Sequence, residues 1–129
     1  MILLDTHILV WAVAEPDRLS RAATAAIRQA HQRGGLAIAA ITLWELAVLI
    51  ARGRIQGYGT VEDSVRLLTQ GVIVKPITAA IAAIASEFPS QYPRDPADRL
   101  IGATAKAEGV PLLTRDEKLR RLSMLQTIW

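Results

Sequence analysis

Short apolar segments alternate with segments of helical pattern along this chain, and this alternation constrains the fold more than any other feature. Strands are predicted at residues 2–4, 36–41, 72–74 and 110–113, and a last strand is compatible with 125–129. Helices are predicted at residues 6–14, 21–33, 42–52, 60–70, 78–87, 97–108 and 116–121, whereas the proline-rich segment 88–96 is expected to be irregular. Strands that are almost wholly apolar require a parallel sheet covered on both faces. The sequence therefore predicts a three-layer α/β/α sandwich with a mainly parallel central sheet of four to five strands.

Length and composition narrow the class of protein. The 129 residues fit a single domain, 1–129, and 51% hydrophobic residues supply enough material for its core. The absence of cysteine excludes disulfide scaffolds, thiol nucleophiles and cysteine-ligated metal centres. No apolar run reaches the ~20 residues of a membrane span, and an acid stands at position 5 without a basic leader before it. We therefore expect a cytoplasmic protein with no membrane partner.

The charge of the chain favours an anionic partner only weakly. The net charge is +3, and twelve of the fifteen basic residues are arginines. The planar arginine side chain binds two phosphate oxygens at once, so this bias leans towards nucleic acid. An ordinary solvated surface carries a charge of this size as well.

Several acidic residues stand where the predicted strands end and the next helices begin. Asp5 ends the first strand, Glu45 lies one turn after the second, and Asp116 follows the fourth. Asp98 opens the helix after the proline-rich segment, with Asp95 three residues before it. The carboxyl ends of parallel strands share one edge of the sheet, where ligands of such folds bind. We expect these carboxylates to meet there.

Such a cluster calls for a cation. Two ionised carboxylates ~4 Å apart repel by about 4 kcal/mol at an effective dielectric of ~20. Oxygen ligands without cysteine favour a hard ion, Mg²⁺ or Mn²⁺. Such an ion lowers the pKa of a bound water and stabilises charge on a phosphoryl oxygen, which suggests metal-assisted hydrolysis of phosphodiester bonds.

Each acid also has a local explanation. Thr42 to Glu45 matches a capping box, in which the glutamate bonds back to the first residue of the helix, and Thr114 to Glu117 is a second match. Asp5 is a candidate N-cap of the helix that follows it. Asp98 and Asp116 lie in first turns, where the helix dipole favours negative charge.

Three ring-bearing residues near these positions have both structural and functional interpretations. His7 is either a metal ligand or a hydrogen-bonded residue of the core or rim. Trp11 and Trp44 are predicted to pack in the core, with Trp44 facing the sheet.

Four sequence blocks, in order along the chain, have a pattern that is already known. They are LDTHILVW at 4–11, TLWEL at 42–46, DPADRLIGATA at 95–105 and LTRDE at 113–117. Together they resemble PIN-domain proteins, and more narrowly the VapC-type toxins of bacterial toxin–antitoxin pairs. The resemblance implies a Mg²⁺- or Mn²⁺-dependent endoribonuclease that forms a homodimer and is held inactive by a small cognate antitoxin.

The same resemblance assigns residues to roles. It implies that the family's catalytic and metal-binding acids are Asp5, Glu45, Asp98 and Asp116, that Thr6 and Thr114 are small hydroxyl residues beside them, and that Asp95 is an additional acid in a supporting role. Arg94, Arg99 and Arg115 lie close to these acids in the sequence and are candidates for contacts with RNA phosphates. Relatives often carry a histidine just before the Asp-Pro pair and a bulky residue in place of Ala97, so the substrate groove is expected to differ here.

Two other classes of function compete with a nuclease. A receiver domain or a haloacid-type phosphatase also places acids at strand ends, but Asp5 lacks the phosphatase's second aspartate two positions later, and no lysine follows the late strand where expected. A non-catalytic α/β binding module would use the same acids only as helix caps, and it predicts that metal ions do not stabilise the fold.

Overall fold

The computed structural model describes all 129 residues as one α/β sandwich. Five strands form its sheet: β1 Ile2–Leu4, β2 Leu36–Ala39, β3 Ile73–Lys75, β4 Leu112–Leu113 and β5 Thr127–Ile128. Seven α-helices connect or flank them: α1 Thr6–Ala14, α2 Arg21–Gln32, α3 Ala40–Ala51, α4 Val61–Leu68, α5 Ala79–Glu87, α6 Pro96–Glu108 and α7 Glu117–Arg120. A short 3-10 helix, Pro16–Arg18, follows α1.

The sheet is entirely parallel, with the strand order β3-β2-β1-β4-β5. Side chains of successive strand residues point to opposite faces, and both faces are apolar. Leu3 and Leu112 pack with residues of α5 and α6, whereas Leu4, Ile38 and Leu113 pack on the other face with residues of α1, α2 and α3. These two cores confirm the predicted three-layer architecture. No helix is long and apolar enough to cross a membrane.

Several predicted element boundaries differ from the structure by a few residues, and the difference that bears on the site lies around the second strand. Strand β2 ends at Ala39, and α3 begins at Ala40, two residues before the predicted start at Thr42. The prediction that Trp44 packs against the sheet is wrong, because 62% of its surface is exposed. The earlier start of α3 turns Trp44 outward while Thr42 and Leu46 become buried. Trp11 is buried as predicted.

One close contact fixes the start of α6, which carries two of the predicted site residues. Tyr92, in the irregular segment before α6, is fully buried, and its hydroxyl donates a hydrogen bond to the carbonyl oxygen of Asp98 at 2.8 Å. Its ring stacks on Phe88 with centroids 4.1 Å apart. The Tyr92 ring reaches its position only because residue 102 of α6 is glycine: a Cβ at Gly102 would overlap the hydroxyl group.

We predict that Gly102→Ala destabilises the protein. In an open helix this change stabilises by about 1 kcal/mol through helix propensity. Here the added methyl must displace Tyr92, so we expect a net loss of about 1–3 kcal/mol, as for other overpacked cores. Chemical denaturation of both proteins measures the difference. Tyr92→Phe in the same protein should restore part of the loss, and a Gly102→Ala protein more stable than the original would contradict this packing.

Candidate active site

The site lies at the carboxyl edge of the sheet, where the chain changes direction. Strands β2 and β3 lie on one side of β1 in the sheet, and strands β4 and β5 lie on the other side. The point between β1 and β4 is therefore a topological switch point, at which parallel α/β sheets open a crevice for ligands. Asp5 directly follows β1, and Thr114 directly follows β4.

Asp5 connects the two strand ends. Its Oδ2 accepts a hydrogen bond from Thr114 Oγ1 at 2.7 Å, and its Oδ1 accepts one from the backbone N–H of Thr6 at 2.8 Å. The carboxylate thus caps α1, as the local explanation proposed, and at the same time faces the residue that ends β4. Asp5 is buried, so this arrangement is not explained by surface capping alone.

Glu45 is positioned by the first helix rather than by its own. Thr6 Oγ1 donates to Glu45 Oε1 at 2.6 Å and lies 3.0 Å from Thr42 Oγ1. The predicted capping box of Thr42 and Glu45 is wrong, because α3 has already begun at Ala40. Its N-cap residue is Ala39, and no side-chain hydrogen bond caps this helix. The glutamate is therefore free to extend towards the edge of the sheet.

The remaining acids come from the starts of two other helices. Asp95 Oδ1 caps α6 by accepting from the N–H groups of Ala97 at 2.8 Å and Asp98 at 3.4 Å. Asp116 caps α7 by accepting from the N–H of Lys118 at 2.9 Å. The second predicted capping box, Thr114 to Glu117, is also wrong: the cap residue is Asp116, and Thr114 Oγ1 accepts from its N–H at 3.0 Å.

The predicted acids line a single cavity. It has a volume of about 740 Å³, and its acidic lining consists of Asp5, Glu45, Asp95, Asp98, Asp116 and Glu117. A neighbouring cavity of about 900 Å³ shares Asp95, Asp98 and Asp116 with it. Four separate parts of the chain thus bring their carboxylates to one place, as the parallel topology predicts.

The proximity of these groups changes their acidity. Burial raises the pKa of Asp5, and hydrogen bonds from Thr114 and Thr6 oppose that effect. Burial also raises the pKa of Glu45, opposed by the bond from Thr6. Burial, followed by the charges of Asp95, Asp5, Asp116 and Glu45, raises the pKa of Asp98 to about 7. The repulsion predicted between these carboxylates is therefore present in the folded protein.

The donor set fits a hard divalent cation. The cavity lining offers carboxylate oxygens and one imidazole, that of His7, and hydroxyl groups of Thr6 and Thr114 bond to two of the carboxylates. No three acidic or histidine side chains are assembled at direct metal-ligand geometry. Mg²⁺ does not require such a cage, because it retains several waters and binds through one or two carboxylates together with substrate phosphates.

The arginines predicted near the acids lie in different surroundings. Arg115 lines the acidic cavity and Arg94 lines the neighbouring one. Arg99 lines neither: its Nη1 donates to the carbonyl oxygens of Ala85 at 3.1 Å and Phe88 at 3.4 Å, at the end of α5. This anchoring of α5 to α6 accounts for Arg99 without a substrate.

His7, for which the sequence left open a metal ligand or a core or rim residue, lies on the acidic cavity and is exposed. Two further lining residues, Trp129 and Arg120, were not candidates from the sequence. The signal for Trp129 was the apolar segment 125–129: a strand paired with β4 would bring its last residue to the carboxyl edge.

Comparison with known proteins places this fold and site in a family. The PIN domain model matches residues 2–124, which is most of the chain. The chain therefore belongs to the PIN domain family. This assignment leaves the receiver and phosphatase interpretation without support.

Individual relatives agree with the assignment. The chain is 45% identical to Ribonuclease VapC22 of Mycobacterium tuberculosis over 130 aligned residues, which cover 99% of this chain and 98% of the relative. Its fold matches VapBC2 from Rickettsia felis bound to a promoter DNA fragment, with a TM-score of 0.76 at 20% identity, covering 98% and 97% of the two chains. It also matches a toxin–antitoxin complex from Klebsiella pneumoniae, with a TM-score of 0.67 at 22% identity, covering 96% and 94%.

The acidity of Asp98 predicts how pH affects the stability of the metal-free protein. Its folded-state pKa of about 7 lies above the ordinary value of 3.8, so the folded protein retains a proton that the unfolded chain has lost. The contribution of Asp98 to stability should therefore be greatest below this window and fall as pH rises from about 4 through about 7. We expect Tm in the presence of EDTA to fall between pH 5.5 and 8, and Asp98→Asn to lessen that fall.

The matched control is Asp17→Asn, which alters an exposed acid outside the cavity. It should keep the pH dependence of the original protein. An Asp98→Asn protein with the same pH dependence as the original would show that Asp98 does not carry this proton.

Proposed function

We propose that this chain is a metal-dependent endoribonuclease and the toxin of a toxin–antitoxin pair. The observation that carries the proposal is the convergence of Asp5, Glu45, Asp98 and Asp116 on one cavity at the switch point of the sheet. The near full-length similarity to a protein named as a ribonuclease supports RNA as the substrate.

In this proposal Asp5, Glu45, Asp98 and Asp116 would hold Mg²⁺ or Mn²⁺. When bound, such an ion supplies neutralisation of the phosphate charge and a more acidic water for hydrolysis. No side chain of the protein needs to act as a nucleophile. Asp98 exchanges a proton near neutral pH, so cation binding would displace that proton and leave the carboxylate ionised.

The chain's other polar groups hold this arrangement and meet the RNA. Thr114 and Thr6 orient Asp5 and Glu45 through the hydrogen bonds described above, and such supporting bonds set the direction of ligand oxygens. Asp95 supports the site by capping α6 and adding negative charge beside Asp98. The exposed side chains of Arg94 and Arg115 are available to phosphates on either side of the carboxylates.

A non-catalytic binding module is the second candidate. It is favoured by the capping bonds of Asp5, Asp95 and Asp116, which would exist without any metal chemistry. It does not account for the position of Glu45, which caps nothing and is held by a residue 39 positions away. Response to a metal ion separates the two candidates.

We predict that Mn²⁺ raises the Tm of the protein and that Asp5→Asn abolishes most of this rise. A ligand present at 100 times its dissociation constant stabilises the folded state by about 2.7 kcal/mol. In parallel, the original protein should cleave total RNA in the presence of Mg²⁺ or Mn²⁺, and Asp5→Asn should not. Asp17→Asn, an exposed acid outside the cavity, should retain both responses.

The cleavage assay and the Tm measurement would each contradict the proposal through a different result. Equal cleavage by the original protein and Asp5→Asn, purified side by side, would identify a contaminating nuclease. A Tm that does not respond to millimolar Mn²⁺ would instead favour the binding module.

We also propose that the partners are a second copy of this chain and a small antitoxin protein encoded next to it. The fold similarity to a chain of a toxin–antitoxin complex supports the antitoxin, and the resemblance to VapC-type toxins implies the homodimer. When the protein is co-expressed with the product of a small open reading frame immediately upstream, we expect the two to purify together and RNA cleavage to be suppressed. Cleavage unchanged by a stable complex would contradict an inhibitory antitoxin, and a mass of one chain in light scattering would contradict the homodimer.

A further inference from the structure

The acidic cavity has a second wall of different chemistry, built around Trp11. The ring centroids of His7 and Trp129 lie 6.3 and 6.1 Å from that of Trp11. The guanidinium carbon of Arg18 lies 4.7 Å from the Trp11 centroid, and that of Arg115 lies 5.7 Å from it. Aromatic rings and arginine planes are therefore assembled a short distance from the carboxylates.

Trp11 itself supports this wall rather than forming its surface. It is buried, and two rings and two guanidinium groups surround it. The groups of the cluster that line the cavity with accessible surface are Trp129, which is half-buried, and His7 and Arg115, which are exposed. We call His7, Arg115 and Trp129 the aromatic wall.

Backbone pairing fixes the aromatic wall relative to the acids. The N–H of Thr114 donates to the carbonyl oxygen of Ile128 at 3.1 Å, so Trp129 directly follows a residue bonded to the end of β4. The hydroxyl of the same Thr114 donates to Asp5. Trp129 and Asp5 are thus tied to one residue from opposite sides, and the distance between the two walls of the cavity is set by the sheet.

The neighbouring cavity lacks such a wall. It shares the carboxylates of Asp98 and Asp116, but its cationic lining is Arg94, Lys118 and Arg121, and its one aromatic residue, Tyr92, is buried. A strand of RNA that passes the carboxylates would therefore meet cations without an exposed aromatic side chain on one side, and cations with aromatic surfaces on the other. Cations hold the phosphates of the backbone, whereas aromatic faces bind the faces of bases.

We propose that the aromatic wall binds an unpaired base of the RNA next to the phosphate that is cleaved. This inference rests on the proposed ribonuclease function. It adds that the RNA is unpaired next to the cleaved phosphate and that the aromatic wall binds the unpaired base. Only an unpaired base can place its face on Trp129, since the faces of a base within a duplex are covered by its neighbours. Stacking of one base on an aromatic side chain strengthens binding about 5- to 150-fold.

The test combines a protein variant with an altered substrate. An unstructured RNA oligonucleotide that the protein cleaves at one mapped bond in Mn²⁺ is remade with an abasic nucleotide at each position flanking that bond. For the original protein, one flanking abasic position should lower kcat/KM at least about fivefold. For Trp129→Leu, kcat/KM on the intact RNA should fall by a similar factor, and the abasic nucleotide should cause little further loss.

Trp44→Leu is the matched control, because it removes an exposed tryptophan that does not line the cavity. It should keep the abasic profile of the original protein. If Trp129→Leu does not fold by circular dichroism, His7→Ala carries the same test at an exposed position of the wall.

The proposal is overturned if the original protein tolerates abasic nucleotides at every flanking position, or if Trp129→Leu shows the same abasic profile as the original. Failure of the ribonuclease function gives a different result, namely no cleavage of any RNA by the original protein. In that case the affinities for intact and abasic oligonucleotides, measured by fluorescence anisotropy in EDTA, test the wall directly. An abasic penalty present in the original protein and lost in Trp129→Leu supports it, and equal penalties reject it.

Discussion

A parallel sheet covered by helices on both faces exposes its strands only at their ends, and this constraint decides where the chemistry of the molecule can be. Both faces are filled by apolar side chains, so polar groups that follow the strands are collected at the carboxyl edge. The strand order places the junction of β1 and β4 at the centre of that edge. The bond from Thr114 to Asp5 closes this junction and links residues 109 positions apart in the chain.

The same edge concentrates negative charge at a cost to the folded state. Burial and neighbouring carboxylates raise the pKa of Asp98 to about 7, so near neutral pH the protein holds either a proton or an unfavourable charge there. Part of the cost is offset locally, because Asp5, Asp95 and Asp116 accept hydrogen bonds from helix N-termini. Asp5 and Asp116 are thus helix caps and candidate metal ligands at the same time. The local and functional explanations of these acids are compatible rather than exclusive.

The sequence predicted the architecture and the set of acids more reliably than the details around them. Apolar strands such as 2–4, and the residues that follow them, can be recognised from short-range patterns. The predicted strand 2–4 therefore agrees with β1. The predicted capping box of Thr42 and Glu45 was wrong because the start of α3 depends on where β2 leaves the sheet. The same error led to the wrong prediction that Trp44, which is exposed, packs against the sheet.

Long-range contacts account for the other differences. Arg99 was a candidate for phosphate contact from its proximity to the acids in the sequence, whereas its guanidinium bonds to carbonyl groups at the end of α5, which no local pattern indicates. The role of Gly102 depends on a tyrosine ten residues away whose ring approaches α6 from a loop. The aromatic wall requires β5 to pair with β4, which brings the end of the chain back to the residues that follow its first strand.

The most direct measurement is a crystal structure of the protein soaked in Mn²⁺, with anomalous diffraction locating the ion. The account predicts an anomalous peak within the acidic cavity, bounded by Asp5, Glu45, Asp98 and Asp116, and absent from crystals of Asp5→Asn. Mn²⁺ bound only at other surface acids, or no ordered ion in the cavity at saturating concentration, would contradict the claim that these carboxylates form a cation site.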